Sequence, residues 1–143
     1  WEDAEDLRQE AYTWFCRASS SMAPETQYAT VMVALYHIHG WGRVQHDSCK
    51  GFRLLREMAD AGGTEAYVEL AKCYEEGIGV EQDLVQALTY WELAAATHNV
   101  AALLRAGEFH ERGLAGQVNI NKATRYYAEA KASGKYNDNR MHA

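Results

Sequence analysis

The chain repeats itself, and that repetition limits its fold more than any other feature. One copy reads Ala66-x3-Leu70-Ala71-x2-Tyr74-x2-Gly77-x-Gly79-Val80-x2-Asp83-x3-Ala87-x2-Tyr90-Trp91-x2-Ala94-Ala95, followed by Ala102. Moving 36 residues onward takes Asp83 to Asn119, Ala87 to Ala123, Tyr90-Trp91 to Tyr126-Tyr127 and Ala94 to Ala130. Moving 36 residues back takes Val80 to Val44, Asp83 to Asp47 and Ala102 to Ala66. A period of this size marks a stack of supersecondary units, each too small to bury its apolar face alone.

Within one unit the spacings are helical. Small residues and aromatics recur three and four apart, which puts them on one helix face. Gly77-x-Gly79 separates two such runs and predicts a turn between antiparallel helices. Asp83, with Gln86 three residues on, predicts an N-cap for the second helix, and Asp47 and Asn119 hold the same place. The recurring Asp is therefore structural. Gly62-Gly63 predicts a helix end, with Thr64 capping the next helix. Pro24 suits the first position of a helix after the polar break Ser19-Ser20-Ser21.

The spaced positions resemble the Sel-like repeat, a relative of the tetratricopeptide repeat. The departures in the quoted copy are Ala71 and His98, where the family carries Gly. The resemblance covers nearly the whole chain. It implies an all-α, right-handed α/α superhelical solenoid of about three and a half helix-turn-helix repeats. It also implies an adaptor role, as in complexes that degrade misfolded secretory proteins or in bacterial signalling and host contact. The expected division is a half repeat or cap over 1–20, repeats over 24–62, 64–98 and 99–134, and a polar tail over 135–143. In the 24–62 repeat, Arg43 is one extra residue in the turn, Gly51 replaces the Ala of the second helix, and Leu54-Leu55 replaces the aromatic pair. In the last repeat Ala115-Gly116 replaces Gly-Val, which predicts a differently shaped turn. The expected core includes Trp14, Phe15, Leu54, Leu55, Leu70, Tyr74, Leu88, Tyr90, Trp91, Tyr126 and Tyr127, with Ala87 at a helix–helix contact.

Composition narrows function mainly by exclusion. Of the 143 residues, 20 are acidic and 14 are Lys or Arg, a net charge of −6. That balance lacks the basic footprint of a nucleic-acid binder. No apolar run approaches the roughly 18–20 residues of a membrane span. No basic–apolar–small leader pattern stands at the N terminus, and a first residue of Trp is compatible with a piece of a longer chain. Cys16, Cys49 and Cys73 are odd in number and share no repeat slot, so free thiols and a reducing, cytoplasmic compartment are expected. No C-x2-C spacing suggests zinc. Gly77-Ile78-Gly79 lacks the third glycine and the Lys-Ser/Thr of a phosphate loop. His37, Tyr74 and His110 share one slot and are expected to pack between helices. No nucleophile elbow or assembled Ser/His/Asp set stands out, so no catalytic residue, cofactor or metal is expected.

The remaining reading is a non-enzymatic interaction scaffold or adaptor that binds a partner along the concave face. The alternative is a docking or regulatory repeat domain of a larger enzyme such as a kinase. The tetratricopeptide relatives line their groove with the first helix of each unit. The resemblance then implies Tyr28, Val31, Leu35, Ile38 and His39 in the second unit. In the third it implies Glu65, Val68, Lys72, Glu75 and Glu76. In the fourth it implies Ala101, Leu104, Glu108, Glu111 and Arg112. That groove is apolar at one end and mostly acidic at the other, which suits a peptide or helix with an apolar anchor and a basic end. The bland alternative is that Leu35 and Ile38 only pack on a neighbouring helix.

Overall fold

The computed structural model describes residues 2–19 and 26–133. Pro24, the Ser20-Ser21 part of the polar break, Gly134 and the 135–143 tail lie outside the described residues. Seven helices form among the described residues: α1 (Glu2–Ser19), α2 (Thr26–His39), α3 (Ser48–Asp60), α4 (Glu65–Glu76), α5 (Leu84–Ala95), α6 (Val100–Arg112) and α7 (Ile120–Ala132). They fall into two compact units, one ending at Asp83 and one beginning at Leu84.

In the first unit α2 packs against α1 and α3, and it also touches α4, which packs on α3. In the second unit α6 packs against both α5 and α7. The core consists of the recurring small residues and the large side chains set between them. Ala34, Leu55, Ala66, Leu70 and Ala71 are fully buried in the first unit, and Ala87, Ala102, Ala106 and Ala130 in the second. Burying a leucine such as Leu55 or Leu70 contributes roughly 1.5–3 kcal/mol. Alanine at the flanking slots lets the helix axes approach closely enough for that burial.

Two glycines mark the closest approaches. A Cβ on Gly51 of α3 would stand 2.5 Å from Ile38 Cγ1 and 2.7 Å from the Ala34 carbonyl oxygen of α2. A Cβ on Gly107 of α6 would stand 2.7 Å from the Tyr127 ring of α7. A residue without a side chain at 51 is therefore the condition for pairing α2 with α3 this closely.

The turns repeat as faithfully as the helices. Gly77 and Gly113 end α4 and α6 in the left-handed conformation, and each donates its N–H to a carbonyl of the last turn. Ten or nine residues beyond the His/Tyr slot, the chain is latched back onto its own first helix. The N–H of Asp47 donates to the His37 carbonyl at 2.8 Å, Asp83 to Tyr74 at 2.9 Å, and Asn119 to His110 at 2.8 Å. The Asp47 and Asn119 side chains then cap α3 and α7, accepting from the N–H groups of Lys50 and Lys122. Thr64 differs from expectation: it precedes α4 in helical conformation and its side chain makes no capping bond. His98, in the slot where the family carries Gly, holds φ at 63°.

Trp14 also differs. It is 60% exposed, and so is the neighbouring Leu7 at 66%. The face of α1 that meets α2 carries Tyr12 and Phe15 instead, in ring contact with Tyr36. In the last repeat, the residue at the Trp14 slot, Tyr126, reaches back to Glu92 on the second helix of the repeat before. The Arg17 guanidinium lies 5.3 Å from the Trp14 ring. Leu54, Leu88, Tyr90, Tyr126 and Tyr127 are half-buried, while Tyr74 and Trp91 are buried.

Candidate interaction face

Comparing the three first helices slot by slot separates closed registers from open ones. The slots Ala29/Ala66/Ala102, Val33/Leu70/Ala106 and Ala34/Ala71/Gly107 are buried in every copy. So is His37/Tyr74/His110. Four other slots on one face stay at least partly open in every copy: Tyr28/Glu65/Ala101, Met32/Glu69/Arg105, Leu35/Lys72/Glu108 and His39/Glu76/Arg112. Within a helix these are spaced i, i+4, i+7 and i+11, which is a single face. The exposed line is thus a property of the repeat.

Val31 and Ile38 correct the expectation of an open apolar groove. They are 8% and 7% exposed. Ile38 lies where α3 comes closest, against Gly51, so the glycine that lets the helices approach also closes over it. Leu35 is half-buried, and Tyr28 and His39 remain open. Tyr28 is 58% exposed with its ring edge on Phe15. The His39 ring stacks on Trp41, centroids 4.5 Å apart, and the Arg8 guanidinium lies 5.7 Å from the Trp41 ring centroid. Trp41 was not among the sequence candidates. The available signal was its place between Gly40 and Gly42, where the other repeats carry Ile78 and Leu114. Within the first unit α2 also touches α4, the helix that carries Glu65, Lys72 and Glu76.

The expectation of an acidic end on α6 also changes. Glu108 lies between Arg105 and Arg112, one carboxylate oxygen 2.5 Å from Arg105 and the other 3.2 Å from Arg112. Glu111 accepts a hydrogen bond from the Tyr127 hydroxyl at 2.6 Å. The α6 face therefore offers paired charges, while Leu104 beside them is half-buried. On α4, Lys72 lies 3.8 Å from Glu69, Val68 and Glu75 are half-buried, and Glu76 is exposed.

Within each unit a polar joint links consecutive repeats. Arg56 of α3 donates to the Tyr74 hydroxyl of α4 at 3.1 Å. One repeat later, the Glu92 carboxylate of α5 lies 3.3 Å from His110 Nε2 of α6 and accepts from the Tyr126 hydroxyl of α7 at 2.5 Å. Burial, and then the Glu92 carboxylate, hold the Tyr126 hydroxyl well above the usual phenol range. His37 instead faces the Tyr12 hydroxyl at 3.4 Å. Burial, with the Lys50 charge adding to it, lowers the proton affinity of His37 against the opposing pull of Asp47. Burial, helped by a hydrogen bond with Cys16, pushes Tyr12 up to about 12. Burial also raises the Cys73 thiol to about 12, with Glu69 and Glu76 adding to the effect. These groups join helix to helix, α3 to α4, α1 to α2, and α5 to α6 and α7. Among the described residues, no group of three or more His, Cys, Asp or Glu side chains is placed to hold a metal ion.

Comparison with known proteins agrees with this geometry. The Sel1 repeat model matches residues 5–21, 27–63, 64–96 and 100–135. No curated protein matches the chain in sequence. Among solved structures, a protective antigen of uropathogenic Escherichia coli strains displaying an SLR fold superposes with a TM-score of 0.74 at 24% identity, over 93% of this chain and 30% of that one. A Sel1 repeat protein from Oxalobacter formigenes gives 0.74 at 21% identity, over 92% of this chain and 55% of that one. The chain thus spans 30% and 55% of the length of these two structures. Proteins of this kind are in general non-catalytic scaffolds whose repeats mediate protein–protein interaction. Four matched segments, seven helices and two solenoid neighbours lead to one conclusion: the chain belongs to the Sel1 repeat family and is an all-α helical repeat solenoid.

Proposed function

We propose that this chain is a non-enzymatic adaptor that grips a peptide or helix of another protein along the open line of its first helices. The supporting observation is the persistence of that line. Four slots on one face of each first helix stay at least partly open in every copy, while the core slots Ala29/Ala66/Ala102, Val33/Leu70/Ala106 and Ala34/Ala71/Gly107 stay closed. In the first unit the line carries Tyr28, Leu35 and His39 with Trp41 on the α2 side, and Glu65, Lys72 and Glu76 on α4. Aromatic side chains held by ring contacts are good anchors because little freedom is lost on binding. The matching ligand has an apolar or aromatic anchor for Tyr28 and Leu35. A basic group on it faces Glu65 and Glu76. Free thiols, with Cys49 exposed, support a reducing compartment for this adaptor.

The test is a comparison of proteins retained by the parent chain and by the double variant Leu35→Asp with His39→Asp. His39 is exposed and Leu35 half-buried, so an unchanged helical circular dichroism spectrum is required of the variant. A partner held by the parent and lost by the variant supports the reading. Retention of every partner by the variant places binding elsewhere. A second variant, Glu65→Lys with Glu76→Lys, should mainly slow association and flatten its salt dependence.

A further inference from the structure

Besides the face that meets α2 through Tyr12 and Phe15, α1 carries a second apolar face. Ala4, Leu7, Ala11, Trp14 and Ala18 recur three and four residues apart, the spacing of a seam between two paired helices. Leu7 and Trp14 are exposed, as is Ala4, while Ala11 and Ala18 are half-buried. In the other second helices the slot of Ala11 is held by Gly51, Ala87 and Ala123, all buried. Those helices begin just after Asp47, Asp83 and Asn119, the residues latched back to a first helix. In α1 that slot is Leu7, which stands inside a helix running from Glu2. The usual cover, a first helix tied down by the latch, needs a turn where α1 is helical. One edge of the seam is charged. The Arg17 guanidinium lies over the Trp14 ring, and the exposed Glu10 stands two turns before Arg17 on the same edge.

We propose that this seam is a self-association site, occupied by the same seam of a second copy in an antiparallel pair about a two-fold axis. The sequence of the seam is complementary to itself in that arrangement. Trp14 of one copy lies across from Ala11 of the other, and Leu7 across from Ala18, so each layer sets a large side chain against a small one. The same register brings Glu10 opposite Arg17 of the other copy, and the two-fold axis repeats the pair. Sliding the copies by one heptad would turn Glu10 against its own symmetry mate. A parallel pair would set Trp14 on Trp14 and leave Ala11 facing Ala11. Packing and charge thus select one register. A pair of single helices buries a small interface, so the dimer forms as the concentration rises. No residue of the seam belongs to the first-helix face, so either site can fail without the other.

Sedimentation of this chain over a range of concentrations reads the association. The parent should pass from monomer to dimer, and Trp14→Ala should weaken the dimer by about tenfold or more, as expected for a central aromatic anchor. Glu10→Arg alone sets Arg against Arg, and Arg17→Glu alone sets Glu against Glu. Each single variant should weaken the dimer, and an equimolar mixture of the two should restore it as a heterodimer. Both changes in one chain should restore the homodimer. Leu35→Asp with His39→Asp should leave association unchanged. Glu10, Trp14 and Arg17 are exposed, so the variants should keep the helical spectrum of the parent. The rescue by mixing also reads the pairing without reference to stability. A parent that stays monomeric at every concentration overturns the proposal, and its face is then left to a different protein. A dimer indifferent to Trp14→Ala, or single variants that do not recover on mixing, overturns it as well.

Discussion

The second repeat (α2 and α3) and the fourth (α6 and α7) share one register but distribute their bulk in opposite ways. In the second, alanine stands at 34 on the first helix and glycine at 51 on the second. In the fourth, glycine stands at 107 and alanine at 123. The exchange follows the large residue opposite. Tyr127 occupies the slot that Leu55 fills, and its ring would meet any Cβ at 107. Ile38 at the second repeat's close approach demands that 51 be bare, and the equivalent residue of the fourth repeat is Glu111, which is exposed. Their buried histidines differ too. His110 meets a carboxylate and His37 a tyrosine hydroxyl. A repeat therefore conserves the distance between its helices through the sum of facing side chains, and its joints need only a donor opposite an acceptor.

The largest test of this trade is at Gly51. Gly51→Val should destabilise by about 3 kcal/mol, the upper range for overpacking, because the Ala34 carbonyl belongs to a helix backbone and cannot turn aside. Gly107→Ala meets only the Tyr127 ring, so it should cost less, and Tyr127→Leu in the same chain should recover most of the loss. Urea denaturation of the single and double variants measures both. If Gly51→Val leaves the midpoint unmoved, α2 and α3 do not pack as described.

The joints come next. Glu92→Leu removes the acceptor shared by Tyr126 and His110 and should cost roughly 1–3 kcal/mol for the groups left unpaired. Arg56→Leu removes a half-exposed cation, its bond to the Tyr74 hydroxyl and an exposed pair with Asp60, so the loss should stay below about 1 kcal/mol. Equal midpoint shifts for the two variants would show that the joints are equivalent after all.

The smallest effect is a pH dependence at His37. Its affinity for a proton is lowered on folding, so the unfolded chain takes the proton first. The stability that depends on a neutral His37 is present above its unperturbed value of 6.5 and fades as the pH falls below it. His37→Tyr, which copies the residue at 74, should flatten the decline in denaturation midpoint between neutral and mildly acid pH. An unchanged slope would mean that other groups govern it.

The helices, the turns and the Asp/Asn caps were legible in the sequence because each rests on local chemistry repeated at a constant offset. Burial at the aromatic slots was less legible. Trp14 and Tyr126 hold one slot, yet what covers the slot comes from another repeat, so the residue type alone could not report that Trp14 lies open. Ile38 shows the same limit on the candidate face. Its place on a first helix suggested exposure, and only the nearness of Gly51 closes it. The pairing of Glu108 with Arg105 and Arg112 was in reach, since the three are spaced three and four apart on one helix. Trp41 escaped because it stands outside the recurring slots.

The latch from each Asp or Asn N–H to the carbonyl nine or ten residues earlier also governs where this architecture can lengthen. Residues added between the two ends of the latch must bulge outward while both ends stay fixed. Arg43 is a natural case: it adds one residue to the span, and its guanidinium and N–H settle on Asp6 and Gln9 of α1 at 2.7 Å and 3.0 Å. The corresponding span after Gly113 is therefore a suitable place to graft a short foreign loop, which would protrude from the turn and leave the helices on either side in register.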